Sequence, residues 1–176
     1  MPRLLLRDRV VVNDDWQHWE DAAATPGAAS PSVATPRVAT ATSAVGLIIP
    51  FEQWVAARDT WLQHSGPLGV VLAPTHRVEQ LAPDLAHFAL IGAHFTGPSE
   101  GRGYTQARQL REQWQFSGEL RATGHVRQDQ VFFMARCGFN SFELPEQELT
   151  AALAALNTFS AAYQPANDKG LRCDWF

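Results

Sequence analysis

An α/β fold built on parallel strands is the architecture this sequence predicts, and three observations predict it. Segments of strand length recur at 47–49, 68–73, 88–93, 119–123 and 141–144. Segments of helical rhythm stand between and after them, at 51–62, 78–85, 104–114, 126–137 and 146–157. A pair of short apolar runs precedes both sets, flanking Arg7-Asp8-Arg9. Strands alternating with helices imply parallel strands joined by crossovers. Four such units in about 90 residues form either an open sheet or half of a β/α barrel, and periodicity does not separate the two.

Each element has its own signal. Leu4-Leu5-Leu6 and Val10-Val11-Val12 around a polar turn read as an N-terminal β-hairpin. The polar-aromatic patch 14–20 follows, with Trp16 and Trp19 suited to covering a domain edge. Residues 22–44 are Ala, Thr, Ser, Pro and Val with one Gly and one Arg. That composition buries too little apolar surface to offset its ordering entropy, so it reads as a long loop. Phe51, Trp54, Val55, Arg58, Trp61 and Leu62 repeat at helical spacing until Gly66-Pro67. Gly138 fits a glycine C-cap for the helix at 126–137. Leu149, Leu153 and Leu156 mark one face of the last helix. The organisation expected is a hairpin and edge segment at 1–20, a loop at 21–45, an α/β domain at 46–163 and a tail at 164–176.

Composition narrows the class. A chain of 176 residues with 45% hydrophobic residues can bury a core without metal or disulfide staples. The net charge of -4 and the lack of a basic block argue against a nucleic-acid or anionic-membrane binder. Two isolated cysteines, Cys137 and Cys173, offer neither a disulfide framework nor metal-ligand spacing. No run approaches the roughly 18 apolar residues of a membrane span. Arg7, Asp8 and Arg9 cut short the first apolar run, which is unlike a signal peptide. A cytoplasmic protein is expected.

In a parallel α/β sheet, ligands sit beyond the C-terminal ends of the strands. Those ends fall at 73–76, at His94-Phe95, at Thr123-Gly124-His125 and at Glu143. The densest polar stretch is Glu100-Gly101-Arg102-Gly103-Tyr104, just before a helix. Unpaired helical N–H groups and the macrodipole favour an anion there. Arg102, Gly103, Tyr104, Arg108 and, from the next strand, Arg121 are therefore the candidate anion-binding residues. The competing reading is a tight turn whose arginines pair with nearby carboxylates. Glu119 and Arg121 alternate with Leu120 and Ala122, so they share a strand face, and an internal ion pair with Glu119 or Glu143 is the commoner use of such an arginine. His125 is the candidate general acid or base, with Asp129 four residues on to orient it. No metal site is expected, and no flavin, nicotinamide, haem or iron–sulfur motif is present, so no cofactor is expected either.

The residues at 100–105, with Ala107-Arg108 and Leu110-Arg111, resemble those of a known family. So do Gly118-Glu119-Leu120-Arg121-Ala122, the run 129–133, Arg136-Cys137-Gly138-Phe139 and Phe142-Glu143-Leu144. The family is the bacterial domain-of-unknown-function 934 family. The resemblance runs from about 47 to about 163 and is specific over 100–144. Glu100, Thr105 and His125 depart from the family's usual Asp, Ser and Asp or Asn. The resemblance implies a setting beside sulfite reductase in assimilatory sulfate reduction, under a loose oxidoreductase label, with no established catalytic residues. It implies an accessory protein of sulfite reduction that binds sulfite reductase, to which the reading of the residues adds an oxyanion at the Gly-Arg-Gly turn. The rival expectation is a small-molecule enzyme of oxidoreductase-like type acting on an oxyanionic substrate at the strand ends. A half barrel also leaves room for completion by a second copy, as a homodimer.

Overall fold

The computed structural model describes residues 4–19, 45–159 and 166–167. The segment 22–44, most of the tail and Cys173 lie outside the described residues. Eight strands form one open, curled sheet, a half barrel. They are β1 (Leu4–Arg7), β2 (Val10–Asn13), β3 (Trp16–His18), β4 (Gly46–Pro50), β5 (Leu68–Leu72), β6 (Phe88–Phe95), β7 (Glu119–Gly124) and β8 (Ser141–Phe142). Their spatial order is β2-β1-β8-β7-β6-β5-β4-β3. β3 to β8 run parallel, and the hairpin β1–β2 joins β8 antiparallel. The predicted hairpin and parallel strands are present, and the hairpin belongs to the same sheet.

The edge patch of the sequence is itself a strand. Trp16, Gln17 and His18 pair with Gly46, Leu47 and Ile48. This places β2 and β3, the two edge strands, at opposite ends of the sheet order. Only Asp14 and Asp15 separate them in sequence. Three virtual bonds span at most about 11 Å. The sheet must therefore curl far enough to bring its edges that close.

The two faces of the sheet differ. On one, Leu6, Ile49, Val70, Leu72, Ile91, Ala93, Leu120, Ala122 and Phe142 meet the helices in the main core. The helices are α1 (Phe51–Ala56), α2 (Arg58–Trp61), α3 (Arg102–Glu112), α4 (Val131–Arg136) and α5 (Glu146–Leu156). α3 buries Gly103, Gln106, Ala107 and Leu110, one stripe at three- and four-residue spacing. A Leu such as Leu110, fully removed from water, contributes about 1.5–3 kcal/mol. The alternate residues of the strands face the inside of the curl.

Three helical expectations are corrected. The helix expected over 51–62 breaks at Ala57, where φ is -136° and ψ is 36°. The stretch expected as a helix at 78–85 is two 3₁₀ turns, Val78–Gln80 and Ala82–His87. Pro83 lacks an N–H donor, which suits the first turn of the second. The helix expected from 126 begins only at Val131. Gly124 leaves β7 in a left-handed conformation with φ 81°, and a turn closed by the Gln130 N–H on the Arg127 carbonyl delays the helix. β8 is also short, pairing only at Ser141 and Phe142.

The glycine of the Gly-Arg-Gly turn has a packing reason. A Cβ at Gly103 would lie 2.6 Å from the Phe95 ring. That ring also packs against Tyr104 and Phe139, so it has nowhere to retreat. Gly103→Ala should destabilise the protein by about 1–3 kcal/mol, read as a lower urea midpoint with unchanged slope.

Candidate functional site

Inside the curl, one guanidinium organises the polar residues. Arg121 projects from β7 and is fully buried. Its Nε donates to Glu119 Oε1 at 3.1 Å. Its two terminal nitrogens embrace both oxygens of Asp14 at 3.0 Å. One also donates to Glu119 Oε1 at 2.8 Å and the other to Glu143 Oε1 at 3.3 Å. All donor directions of the fork are used, on three carboxylates. Burial pulls the Arg121 pKa down, and the bonds and charges of Asp14 and Glu119 more than reverse that. Arg7 adds a second cation, 3.3 Å from Glu119 and 3.5 Å from Asp15.

Above this network the strand ends open into a cleft of about 430 Å³. His18 comes from β3, Val71 and Ala73 from the end of β5, and His94 from β6. Thr123 comes from β7 and Glu143 from the residue after β8. His18 Nε2 is buried 3.6 Å from Glu143 Oε1. Burial pushes the Glu143 carboxyl up, but His18 and Arg121 outweigh it and hold the group below its ordinary value. Thr123 Oγ1 lies 3.4 Å from His94 Nδ1. Glu52, at the rim, meets His76 Nε2 at 3.1 Å. The Ala73 N–H donates to His76 Nδ1 at 3.0 Å, which leaves the proton on Nε2, facing Glu52. Gln106 of α3 fixes that corner by donating to the Ala73 and His76 carbonyls.

The candidate residues of the sequence fall in three places. Arg121 is inside the curl, saturated by carboxylates. Arg102, Gly103, Tyr104 and Arg108 lie on α3, on the other side of the sheet. There the Glu100 carboxylate already accepts the Arg102 N–H at 3.0 Å. Arg108 pairs with Glu112 at 3.1 Å, and Tyr104 packs on Phe95 and Phe133. Burial, with the charges of Cys137 and Asp129, pushes the Tyr104 phenol up. His125 and Asp129 are both exposed, in the turn before α4, and they do not meet. Asp129 faces Arg127 at 3.9 Å. The helical spacing that would stack them is missing because 125–130 is not helix. The turn and its arginines thus form no shared site with Arg121. Cys137 is a buried residue at the end of α4, and burial pushes its thiol up.

The strand-end rule did locate His94, Thr123 and Glu143. His18 and Asp14 carry a weaker signal. Alternation of Asp14, Trp16 and His18 with Asp15 and Gln17 is the strand period, visible only if the patch is read as a strand.

Arg121→Met removes the cation shared by Asp14, Glu119 and Glu143 inside the fold, and Arg7 at Glu119 and His18 at Glu143 replace it only in part. At pH 7 it should cost about 3–5 kcal/mol. Glu143 has a lowered pKa, so its ionised form contributes stability above its ordinary value of 4.5 that is lost as pH falls through the folded value. The penalty of Arg121→Met should therefore shrink below pH 4.5, measured by urea unfolding across pH.

A family model described as bacterial protein of unknown function (DUF934) matches residues 69–172, more than half of the chain. The match spans β5 to β8 and therefore Arg121, His94, Thr123 and Glu143, while β1 to β4, with Asp14 and His18, precede it. No curated protein matches the chain. The protein is a member of the DUF934 family.

Proposed function

We propose that the protein binds and converts a small polar molecule in the cleft at the C-terminal ends of its parallel strands. One observation carries this reading. The His18–Glu143 pair, His94 and Thr123 line one cleft, and Glu52 at its rim pairs with His76 behind it. Polar groups that converge in a concave site at strand ends are the usual requirement of small-molecule chemistry. An imidazole beside a carboxylate can move a proton near neutral pH. Glu143 faces His18 Nε2 across 3.6 Å, and in this reading Nδ1 is the atom that meets the substrate. Among the described residues, those lining the cleft include no arginine or lysine. A neutral or cationic substrate fits that lining better than the oxyanion the sequence suggests.

The test is a metabolite screen by thermal shift, followed by turnover assays on His18→Gln. A substrate found with the wild type should be converted at least about 100-fold more slowly by the variant, within the range of acid–base catalysis. The unfolding temperature should stay close to that of the wild type. Unchanged turnover in His18→Gln would remove the proton-transfer role.

A second reading is an accessory protein of assimilatory sulfite reduction that docks on sulfite reductase. The metabolic setting implied by the family resemblance supports it. So does Phe133, 59% exposed and packed at a tilt against Tyr104 with a ring separation of 5.3 Å. A tagged protein from sulfate-grown cells should then bring down sulfite reductase near stoichiometry, and Phe133→Asp should lose it. Absence of the reductase from the wild-type sample counts against this reading.

A further inference from the structure

A second cleft, of about 520 Å³, lies elsewhere on the molecule. The turn between β1 and β2 forms one wall of it, and the end of α3 with the loop after α4 forms the others. Arg111 of α3 crosses its back. Its Nε donates to the Gly138 carbonyl at 3.0 Å. One terminal nitrogen donates to the Phe116 and Gly118 carbonyls, and the other to Asn140 Oδ1 at 3.3 Å. Every one of these acceptors is neutral. Arg9, on the rim, donates to the Leu156 carbonyl at 3.0 Å and to Asn157 Oδ1 at 2.9 Å, again neutral. Among the described residues, neither arginine forms a salt bridge. The contrast with Arg121 is complete, since that cation has three carboxylates.

The opposing charge is Asp8, whose Oδ1 accepts from Asn140 Nδ2 at 3.2 Å. Among the described residues, two guanidinium groups against one carboxylate leave the cleft with a net positive charge. One of the five N–H donors of Arg111 also remains unused among the described residues. Phe116 and Phe139 supply apolar wall beside these groups. Arg111 stands 5.7 Å from the centre of the Phe116 ring.

Backbone strain gathers at the same place. Asp8, Arg9 and Gln115 have φ of 47°, 63° and 53°. They are the non-glycine residues with positive φ among those described, and all of them line this cleft. A two-residue hairpin turn with both φ positive ordinarily uses Asn-Gly. Here Asp8 and Arg9 adopt it with full side chains, which keeps a guanidinium at the rim where a glycine would leave none. Strained non-glycine residues cluster at ligand sites because the surroundings must hold them there.

We infer that this cleft binds an organic anion, a carboxylate or phosphate monoester with an apolar body, between Arg9 and Arg111. The anionic group answers the unneutralised guanidinium pair, and the apolar body lies against Phe116 and Phe139. This site is separate from the strand-end cleft and does not depend on the function proposed there.

The experiment is an amide NMR titration of the full chain with phenyl phosphate, alongside inorganic phosphate and phenol. Phenyl phosphate should saturate, shifting the amides of residues 8–9, 115–117 and 138–140 while those of His18, His94 and Thr123 stay in place. Inorganic phosphate should bind more weakly, and phenol should not saturate. Arg9→Glu should weaken phenyl phosphate at least tenfold. Asp8→Asn, which removes the opposing charge and keeps an oxygen acceptor for Asn140, should tighten it severalfold. The inference is overturned if phenyl phosphate does not saturate or its shifts fall outside this cleft. It is equally overturned if phenol binds as well as phenyl phosphate, or if neither substitution changes the affinity.

Discussion

The architecture turns on one buried cation. Arg121 ties together β7, the Asp14-Asp15 link between the edge strands, and the residue that follows β8. Taking a guanidinium out of water is costly, and an apolar substitute of similar volume can match a buried ion network in stability. What the charges add is direction. Apolar packing tolerates sliding, whereas a bidentate Arg–Asp contact fixes one position for the link and therefore for the strand it launches. His18, four residues after Asp14, is placed opposite Glu143 by that constraint.

Space inside the curl is the second requirement, and glycine supplies part of it. A Cβ at Gly69 would come within 3.2 Å of Leu90 and 3.3 Å of Ile48. One at Gly92, which pairs with Arg121 across the ladder, would come within 3.0 Å of Val71. Ile48 and Leu90, beside Gly69, are buried. Apolar packing, the charged network and the polar cleft therefore share the inner face. Interiors of β/α barrels are packed in the same manner, with chemistry confined to the strand ends.

Most of the framework was legible in the sequence, because strands and helices differ in period. The alternation of Glu119 and Arg121 with Leu120 and Ala122 gave the correct faces of β7. The strand-end rule pointed to His94, Thr123 and Glu143. The curl was less accessible, since it rests on contacts between residues more than a hundred positions apart. The short strand 16–18 reads as an aromatic patch because three residues hardly establish a period. The helix after β7 began late, because backbone geometry at Gly124 overrode a favourable apolar rhythm. The Gly-Arg-Gly segment is conspicuous in sequence for reasons that the structure divides. Gly103 makes room for Phe95, Gln106 braces the loop bearing His76, and Arg111 stitches together two loops through the carbonyls of Phe116, Gly118 and Gly138.

The two-residue link between the edge strands also sets an order of events during synthesis. β1 has no lateral partner beyond β2 until β8 has been made, and Asp14 must wait for Arg121, 107 residues later. A ribosome adding about 5–20 residues per second holds the N-terminal hairpin unpaired for several seconds or longer. The parallel strands β4 to β7 can associate in sequence as they emerge, but the last edge cannot be sealed until β8 has been made. The turn Arg7-Asp8-Arg9 and the carboxylates Asp14 and Asp15 then serve a second purpose. They are charged gatekeepers that keep a nascent hairpin of leucines and valines from pairing with other chains while it waits.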